Sequence, residues 1–577
     1  MNMMNNDIKK AFSIIPDQFK SKVKISLLLS IINGLLDLLS LGMLIPMIIV
    51  FIDPKAFSEN YLIAKLYSWF GFSSPQAFQL TMIIGTVLVF VFKNILSTFF
   101  IHYQNKTSFD IATALSRQLF RSYFNQSYLE FTACNSAIIS RKINTVPHDF
   151  VVYILTAYLN LITELIIGTA ILTIVAIYSP TLLLIIIVSL TPIVLFWKWY
   201  NDKHVQRIQR EFKDQFPTGL RKLLNGIDSY IDIRTHQKQS FFIDNFIGTK
   251  SVMNSNYAFL KTTQLLPPKI LEVILIICIT IIFAYTSLFQ IEQSVIPTLS
   301  LFIAAFYRLY PSIAKIIAAA TSINSYRFVI DELATDQIIN ETANEAEITF
   351  SQSIQLQNIS FHYPDKAPLL RDQSLSIHKG ECIGITGESG SGKTTLINLI
   401  MGLISPTYGS VKVDNHELNQ STINSWLSQI SYLQQQPVIM DASILDNIAF
   451  GESNPRLEQV NMAIEQANLT DFIKNLPKGI LTQLGEKGLQ VSGGQIQRIA
   501  LARALYRDSE ILILDEISNN LDEGNLNDII ADLKNLTNNG KTIIIIDHNS
   551  VMLQLVNTIW NVVEGKITVL ESAPLIK

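Results

Sequence analysis

The stretch Gly387-Glu388-Ser389-Gly390-Ser391-Gly392-Lys393-Thr394 decides how the rest of the chain is read. Its spacing is G-x-x-x-x-G-K-[ST], the pattern of a phosphate-binding loop. An apolar run from Cys382 to Thr386 precedes it and a helical pattern opens at Thr395, so it sits between a strand and a helix. Glycines there let backbone N–H groups point at one phosphate cluster without obstruction from a Cβ. Lys393 is placed to reach the β- and γ-phosphates and Thr394 to set its hydroxyl on Mg²⁺. The helix start behind them adds a partial positive charge. The candidate nucleotide-binding residues are therefore Gly387, Glu388, Ser389, Gly390, Ser391, Gly392, Lys393, Thr394 and Thr395, with ATP and Mg²⁺ as the expected cofactors.

Downstream, Ile511-Leu512-Ile513-Leu514-Asp515-Glu516 reads as a buried strand ending in two carboxylates. Asp515 suits Mg²⁺ through its water shell, and Glu516 suits polarisation of the attacking water. Between the loop and these acids lies Val491-Ser492-Gly493-Gly494-Gln495. Ser492, Gly493, Gly494 and Gln495 at a helix start form a second anion-binding surface. Two chains facing head to tail can each give one surface to a shared ATP. A further strand, Thr542 to Ile546, leads into Asp547-His548, and His548 there can hydrogen-bond a γ-phosphate. Ahead of the loop, Tyr363 can stack on a purine ring, although an ordinary strand tyrosine would look the same.

Around this core the composition points to a membrane. The chain has 577 residues, too many for one core, so two or three domains are expected. It is 49% hydrophobic and only 16% charged, with mean hydropathy +0.31. The net charge of −3 carries no nucleic-acid signature. Cys134, Cys278 and Cys382 are far apart and match neither a metal spacing nor a disulfide framework. The polar, lysine-bearing N-terminal stretch predicts no cleavable signal peptide, with the first apolar span acting as its own insertion signal.

Six apolar stretches appear before residue 330, at roughly 25–52, 79–101, 150–178, 181–200, 264–287 and 295–322. The composition shifts near residue 335, which predicts a membrane domain over 1–335 and a nucleotide-binding domain over 336–577. Basic residues mark the cytoplasmic side: Lys9, Lys10, Lys20, Lys22 and Lys24, then Lys106, Arg117 and Arg121, then Lys203, Arg207 and Arg210. Both long connections are charged yet periodic, as in 105–125 and 203–224, so they read as helices extending beyond the membrane. The outer segment 59–70 places Leu62, Leu66, Trp69 and Phe70 on one side of a helix. It fits a surface amphipathic helix and, equally, a loop packed on the bundle.

Lys93, Lys269 and Arg308 interrupt the apolar runs. Counted from the outer span ends at 1.5 Å per residue, they share a depth of roughly 20–26 Å. Three cations at one level suit an anionic headgroup such as a phosphate or pyrophosphate. The competing reading is that Lys93 and Lys269 snorkel to the inner interface, or that one cation pairs with Glu272.

Taken together, the chain resembles an ABC exporter half-transporter, a six-span α-helical membrane domain fused to one α/β P-loop ATPase domain. The resemblance implies that Tyr363 stacks on adenine and that Gln435, in Tyr432-Leu433-Gln434-Gln435, senses Mg²⁺ and the membrane domain. It also implies that Asp522, in Asn519-Asn520-Leu521-Asp522, contacts a second ATPase domain and that His548 is the switch histidine. Val491 to Gln495 is similar to the signature motif, with Val in place of the usual Leu. Thr482 to Gly488 resembles the exporter-specific stretch, with Gln483 where a Glu is common. The membrane half is most similar to bacterial lipid-linked oligosaccharide flippases, through Gly34 to Pro46, Pro268 to Glu272 and Phe306 to Ser312. Their headgroup positions are usually arginine, and lysine stands here at two of three, Lys93 and Lys269, supplying charge without a bidentate fork. The implied protein is a homodimer in the bacterial inner membrane with its ATPase domain in the cytoplasm, flipping a lipid-linked sugar. A peptide or hydrophobic-drug exporter and a nucleotide-gated channel or regulatory ATPase module are the alternatives.

Overall fold

The computed structural model describes residues 2–52, 65, 67–69, 74–178, 180–288, 295–336, 346–485, 488, 491–520 and 523–571. Its backbone contacts divide the chain into two compact units. One holds Met1–Gln126 and Glu130–Asn340, the other Ser127–Leu129 and Glu341–Lys577.

The first unit is built of helices: α1 (Asn2–Ile14), α2 (Asp17–Ile52), α3 (Pro75–Phe124), α4 (Thr156–Tyr178), α5 (Pro180–Asp228), α6 (Gln239–Leu288) and α7 (Val295–Tyr326). Among the described residues, four stretches are long and apolar enough to cross a membrane: Asp17–Ser40, Gln76–Phe124, Ser136–Ile177 and Gln239–Ile281. The expected spans at 181–200 and 295–322 lie on α5 and α7, and on α5 a shorter apolar stretch runs Ile186–Trp197. Helices α3 and α5 continue unbroken through the charged stretches that follow their apolar parts. The outer segment 59–70 lies almost wholly outside the described residues.

Local chemistry explains these elements. Ser74 caps α3 by accepting from the Ala77 N–H at 3.2 Å, and Pro75 fills a first-turn position that needs no N–H. Leu80, Ile84, Val87, Val91, Ile95 and Phe99 recur every three or four residues on α3 and stand more than half exposed. Such a stripe is disfavoured in water and satisfied by lipid. Before α4 the helix widens into π turns at Arg141–Thr145 and Phe150–Leu155, on either side of Pro147. Proline gives no N–H to the preceding turn, and a wider turn accommodates the missing bond.

The second unit carries two sheets. The larger has strands β3 (Cys382–Thr386), β6 (Ile430–Leu433), β7 (Ile511–Asp515), β8 (Thr542–Ile546), β9 (Thr558–Val563) and β10 (Lys566–Glu571) in the order β10-β9-β3-β8-β7-β6. All its pairings are parallel except β9 with β10. Strands β7 and β8 are buried at every residue, as parallel strands covered on both faces must be. The smaller, antiparallel sheet orders β1 (Ser353–Phe361), β2 (Leu370–His378), β4 (Tyr408–Val413) and β5 (His416–Glu417) as β2-β1-β4-β5. Register decides where chemistry falls. Ile385 pairs with Ile546, Asp515 with Ile546, and Leu433 with Leu514. The C-terminal ends of β3, β6, β7 and β8 therefore share one edge, where ligands of open α/β sheets bind.

Candidate functional site

At that edge β3 runs into the phosphate loop and then into helix α8 (Lys393–Ile400). Leu396, Ile397, Leu399 and Ile400 anchor α8 in the core, which fixes the loop above it. Gly387 is the position in this loop that most requires glycine. Its φ is +146°, and a Cβ there would lie 2.4 Å from the Val562 carbonyl and 2.8 Å from Ser391 Oγ. Lys393 is buried, and its Nζ donates to the carbonyls of Gly387 at 2.7 Å and Glu388 at 3.0 Å, drawing the loop around its ammonium. Helix α8 begins at Gly392 with no side-chain cap, which leaves first-turn N–H groups facing the loop. Ser391 Oγ is buried without a hydrogen-bond partner. An orphaned hydroxyl, an uncapped helix start and a concavity that a Cβ would fill together suit a polyphosphate.

The other residues gather beside it. The Tyr363 hydroxyl and Thr395 Oγ1 are 3.1 Å apart, and the Tyr363 ring meets Phe361 edge to face at 5.0 Å. Asp515 ends β7 and is buried, accepting from the Tyr432 hydroxyl at 3.1 Å. Burial raises the Asp515 pKa, and the Tyr432 hydrogen bond opposes that rise. Glu516 turns out of the strand at φ +49°, held by its N–H donating to the Ile546 carbonyl at 2.8 Å. The turn brings its carboxylate to Gln435, whose Nε2 donates to it. His548 stands exposed one residue past the buried Asp547.

The chemistry of the donor set fits Mg²⁺. Thr394, Gln435 and Asp515 offer hard oxygens, and that ion takes few protein ligands alongside phosphate and water. Among the described residues there is no group of three His, Cys, Asp or Glu side chains able to hold a metal alone.

The signature residues behave differently. Ser492 caps helix α9 (Gly493–Tyr506), accepting from the Gln495 N–H at 3.3 Å, while Gln495 Oε1 accepts from the Ser492 N–H at 2.9 Å. Gly493 and Gly494 form the first turn, and Ser492 is exposed. Gln483 bridges to Ser443, tying the segment before the signature to the stretch that follows Gln435. Asp522, like Glu486 and Lys487, lies outside the described residues.

Two contributors escaped the sequence reading. Tyr432 holds Asp515. Asp547 accepts from the Ser518 hydroxyl at 2.7 Å and the Asn549 N–H at 2.9 Å, joining the segments after β7 and β8. The available signal was that Asp547 ends a buried strand just as Asp515 does.

In the helical unit the three expected cations part company. Lys93 Nζ lies 2.5 Å from Asp37 Oδ1 and Arg308 Nη2 lies 3.4 Å from Asp37 Oδ2. Lys269 pairs instead with Glu272 at 3.5 Å along its own helix, both side chains well exposed. Pairing with a nearby carboxylate lowers the cost of each charge and separates groups that share only a depth along the helices.

Residues 370–519 match the family model described as ABC transporter. A bacterial Atm1-family ABC exporter with ATP bound superimposes with TM-score 0.75 at 19% identity, over 96% of this chain and 95% of that one. The chain has the ABC exporter fold. Its nucleotide-binding unit is an ABC transporter ATPase domain. The ATP-dependent lipid A-core flippase of Alkalilimnicola ehrlichii is 30% identical over 383 residues, 64% of each chain. The mitochondrial ATP-binding cassette sub-family B member 10 of Mus musculus is 39% identical over 228 residues, 38% of this chain and 32% of that protein. The match thus spans just under two thirds of the first relative's length and about a third of the second's.

Proposed function

We propose that the chain is one half of an ATP-driven exporter, a homodimer in the bacterial inner membrane that flips a lipid-linked oligosaccharide from the inner to the outer leaflet. One observation carries the ATP-driven part: Gln435 and Glu516 are in contact beside Asp515, at the sheet edge that also holds the phosphate loop. Lys393 steadies charge on the phosphates, and Glu516 accepts a proton from the attacking water as the terminal P–O bond breaks. Thr394, Gln435 and Asp515 hold Mg²⁺, which withdraws charge from the reacting phosphate when bound. Tyr363 lies against the base and His548 against the γ-phosphate. Ser492, Gly493, Gly494, Gln495 and Asp522 reach the same nucleotide from the second copy, and the exposure of Ser492 leaves it open to do so.

The cargo reading is supported by the lipid A-core flippase relative and by the two cations that meet on Asp37 within apolar helices. The test is reconstitution into proteoliposomes with a fluorescent lipid-linked oligosaccharide. ATP-dependent transfer between leaflets, lost in Glu516→Gln, is expected. Movement of peptide or dye with no transfer of the oligosaccharide overturns the cargo reading.

A further inference from the structure

Glu164 and Asp37 lie within the helical unit among apolar residues, and they are used differently. Glu164, on α4, is buried and matched one to one: Lys315 Nζ donates to Oε1 at 2.6 Å and the Ser312 hydroxyl to Oε2 at 2.7 Å. That is a closed tie between α4 and α7. Asp37, on α2, faces two cations, Lys93 from α3 and Arg308 from α7. The cluster keeps one net positive charge. Arg308 is 9% exposed, its contact to Asp37 is long at 3.4 Å, and its buried Nε has no hydrogen-bond partner. A guanidinium so placed has donors left for a second anion.

Asp37 is also held in place. One turn earlier, a Cβ on Gly34 would come within 1.9 Å of Ile167 Cδ1, so α2 presses directly on α4. Phe306 and Leu309, on either side of Arg308 in sequence, belong to a buried apolar cluster with Ile167 and Leu271, and Leu38, next to Asp37, packs against it, which keeps the local dielectric low.

We propose that Asp37 is an internal competitor: it and the phosphoryl group of a lipid ligand contend for Lys93 and Arg308, and this competition sets how tightly the headgroup is held. The inference rests on the flippase reading for its ligand class, a phosphate or pyrophosphate carried on a lipid. Asp37 is then a specificity residue. An anion that forms two or more hydrogen bonds to Arg308 displaces it, and a neutral or weakly accepting headgroup does not.

The test is equilibrium binding of fluorescent farnesyl pyrophosphate to the full chain in lipid nanodiscs. Asp37→Asn removes the competitor and is expected to bind about tenfold tighter than wild type. Adding Arg308→Gln to it abolishes the gain. Lys93→Gln leaves Asp37 to neutralise Arg308 and is expected to lose at least tenfold, so the proposal stays testable if Asp37→Asn fails to fold. Affinity in Asp37→Asn equal to or below wild type makes Asp37 a structural tie and overturns the proposal, as does unchanged affinity in Lys93→Gln. Inorganic pyrophosphate is expected not to compete, and equal competition by it overturns the lipid source. The flippase reading fails separately: the tighter binding of Asp37→Asn can stand without oligosaccharide transfer by wild type, and transfer can stand without the tighter binding.

Discussion

The phosphate-loop edge and the Asp37 cluster both gather charged groups, and they do so in opposite ways. At the nucleotide edge each group sits within a few residues of a strand end, and the register of β3, β7 and β8 brings the ends together. The backbone does most of the positioning, through Gly387 and the turn at Glu516. In the helical unit no loop points the charges. Asp37 and Arg308 are 271 residues apart and meet only because helices pack side by side. The difference teaches that a site built on strand ends is robust to packing, whereas one built between helices depends on every close approach around it.

That comparison can be broken at several points. Lys393→Ala removes the cation that closes the loop and is expected to reduce ATP hydrolysis about a thousandfold, with nucleotide affinity falling as well, measured by phosphate release and equilibrium binding. Glu516→Gln is expected to lower kcat on the order of a hundredfold or more while ATP still binds, because the amide keeps the Gln435 contact but cannot accept a proton. Loss of binding in that variant would show that the carboxylate is structural.

Gly34→Ala sharpens the other side. The added Cβ meets Ile167, and overpacking of this kind costs about 1–3 kcal/mol. A lower melting midpoint is expected in the full chain, and transport should suffer more than basal ATP hydrolysis. An unchanged midpoint would mean that α2 and α4 separate freely.

The smallest effect concerns Asp515. Its pKa is raised in the folded domain, so the folded state binds that proton more tightly than the unfolded chain does. Ionisation therefore costs stability, which is lost as the pH rises from the ordinary carboxylate pKa of the unfolded chain through the higher folded one. Asp515→Asn is expected to raise the nucleotide-free melting midpoint slightly at neutral pH, with the gain fading as the pH falls below the carboxylate range.

What was legible follows the same division. The loop, the paired acids and the serine at the start of α9 were readable because phosphate chemistry needs particular residues at fixed short spacings. The four stretches that, among the described residues, are long and apolar enough to cross a membrane were readable from apolar runs, since lipid imposes length and composition. Tyr432 and Asp547 were not, because a strand tyrosine and a strand-end aspartate acquire meaning only once register sets them beside Asp515 and Ser518. Asp37 was hidden for a further reason. Depth along a helix can be counted from sequence, but its facing cannot, so the sequence left open whether one cation pairs with Glu272; packing gives Lys269 to Glu272, as the competing reading had it, and Lys93 and Arg308 to Asp37. A carboxylate inside the apolar run of α2 was the available clue.

The central claim is that one ATP is held by Lys393 of one copy and Ser492 of the other. Mixing Lys393→Ala chains with Ser492→Arg chains tests it, because in a mixed dimer both lesions fall on one site and the other stays intact. The account predicts one occluded ATP per mixed dimer and none in either variant alone. Mixed dimers that form and still occlude no nucleotide would contradict it.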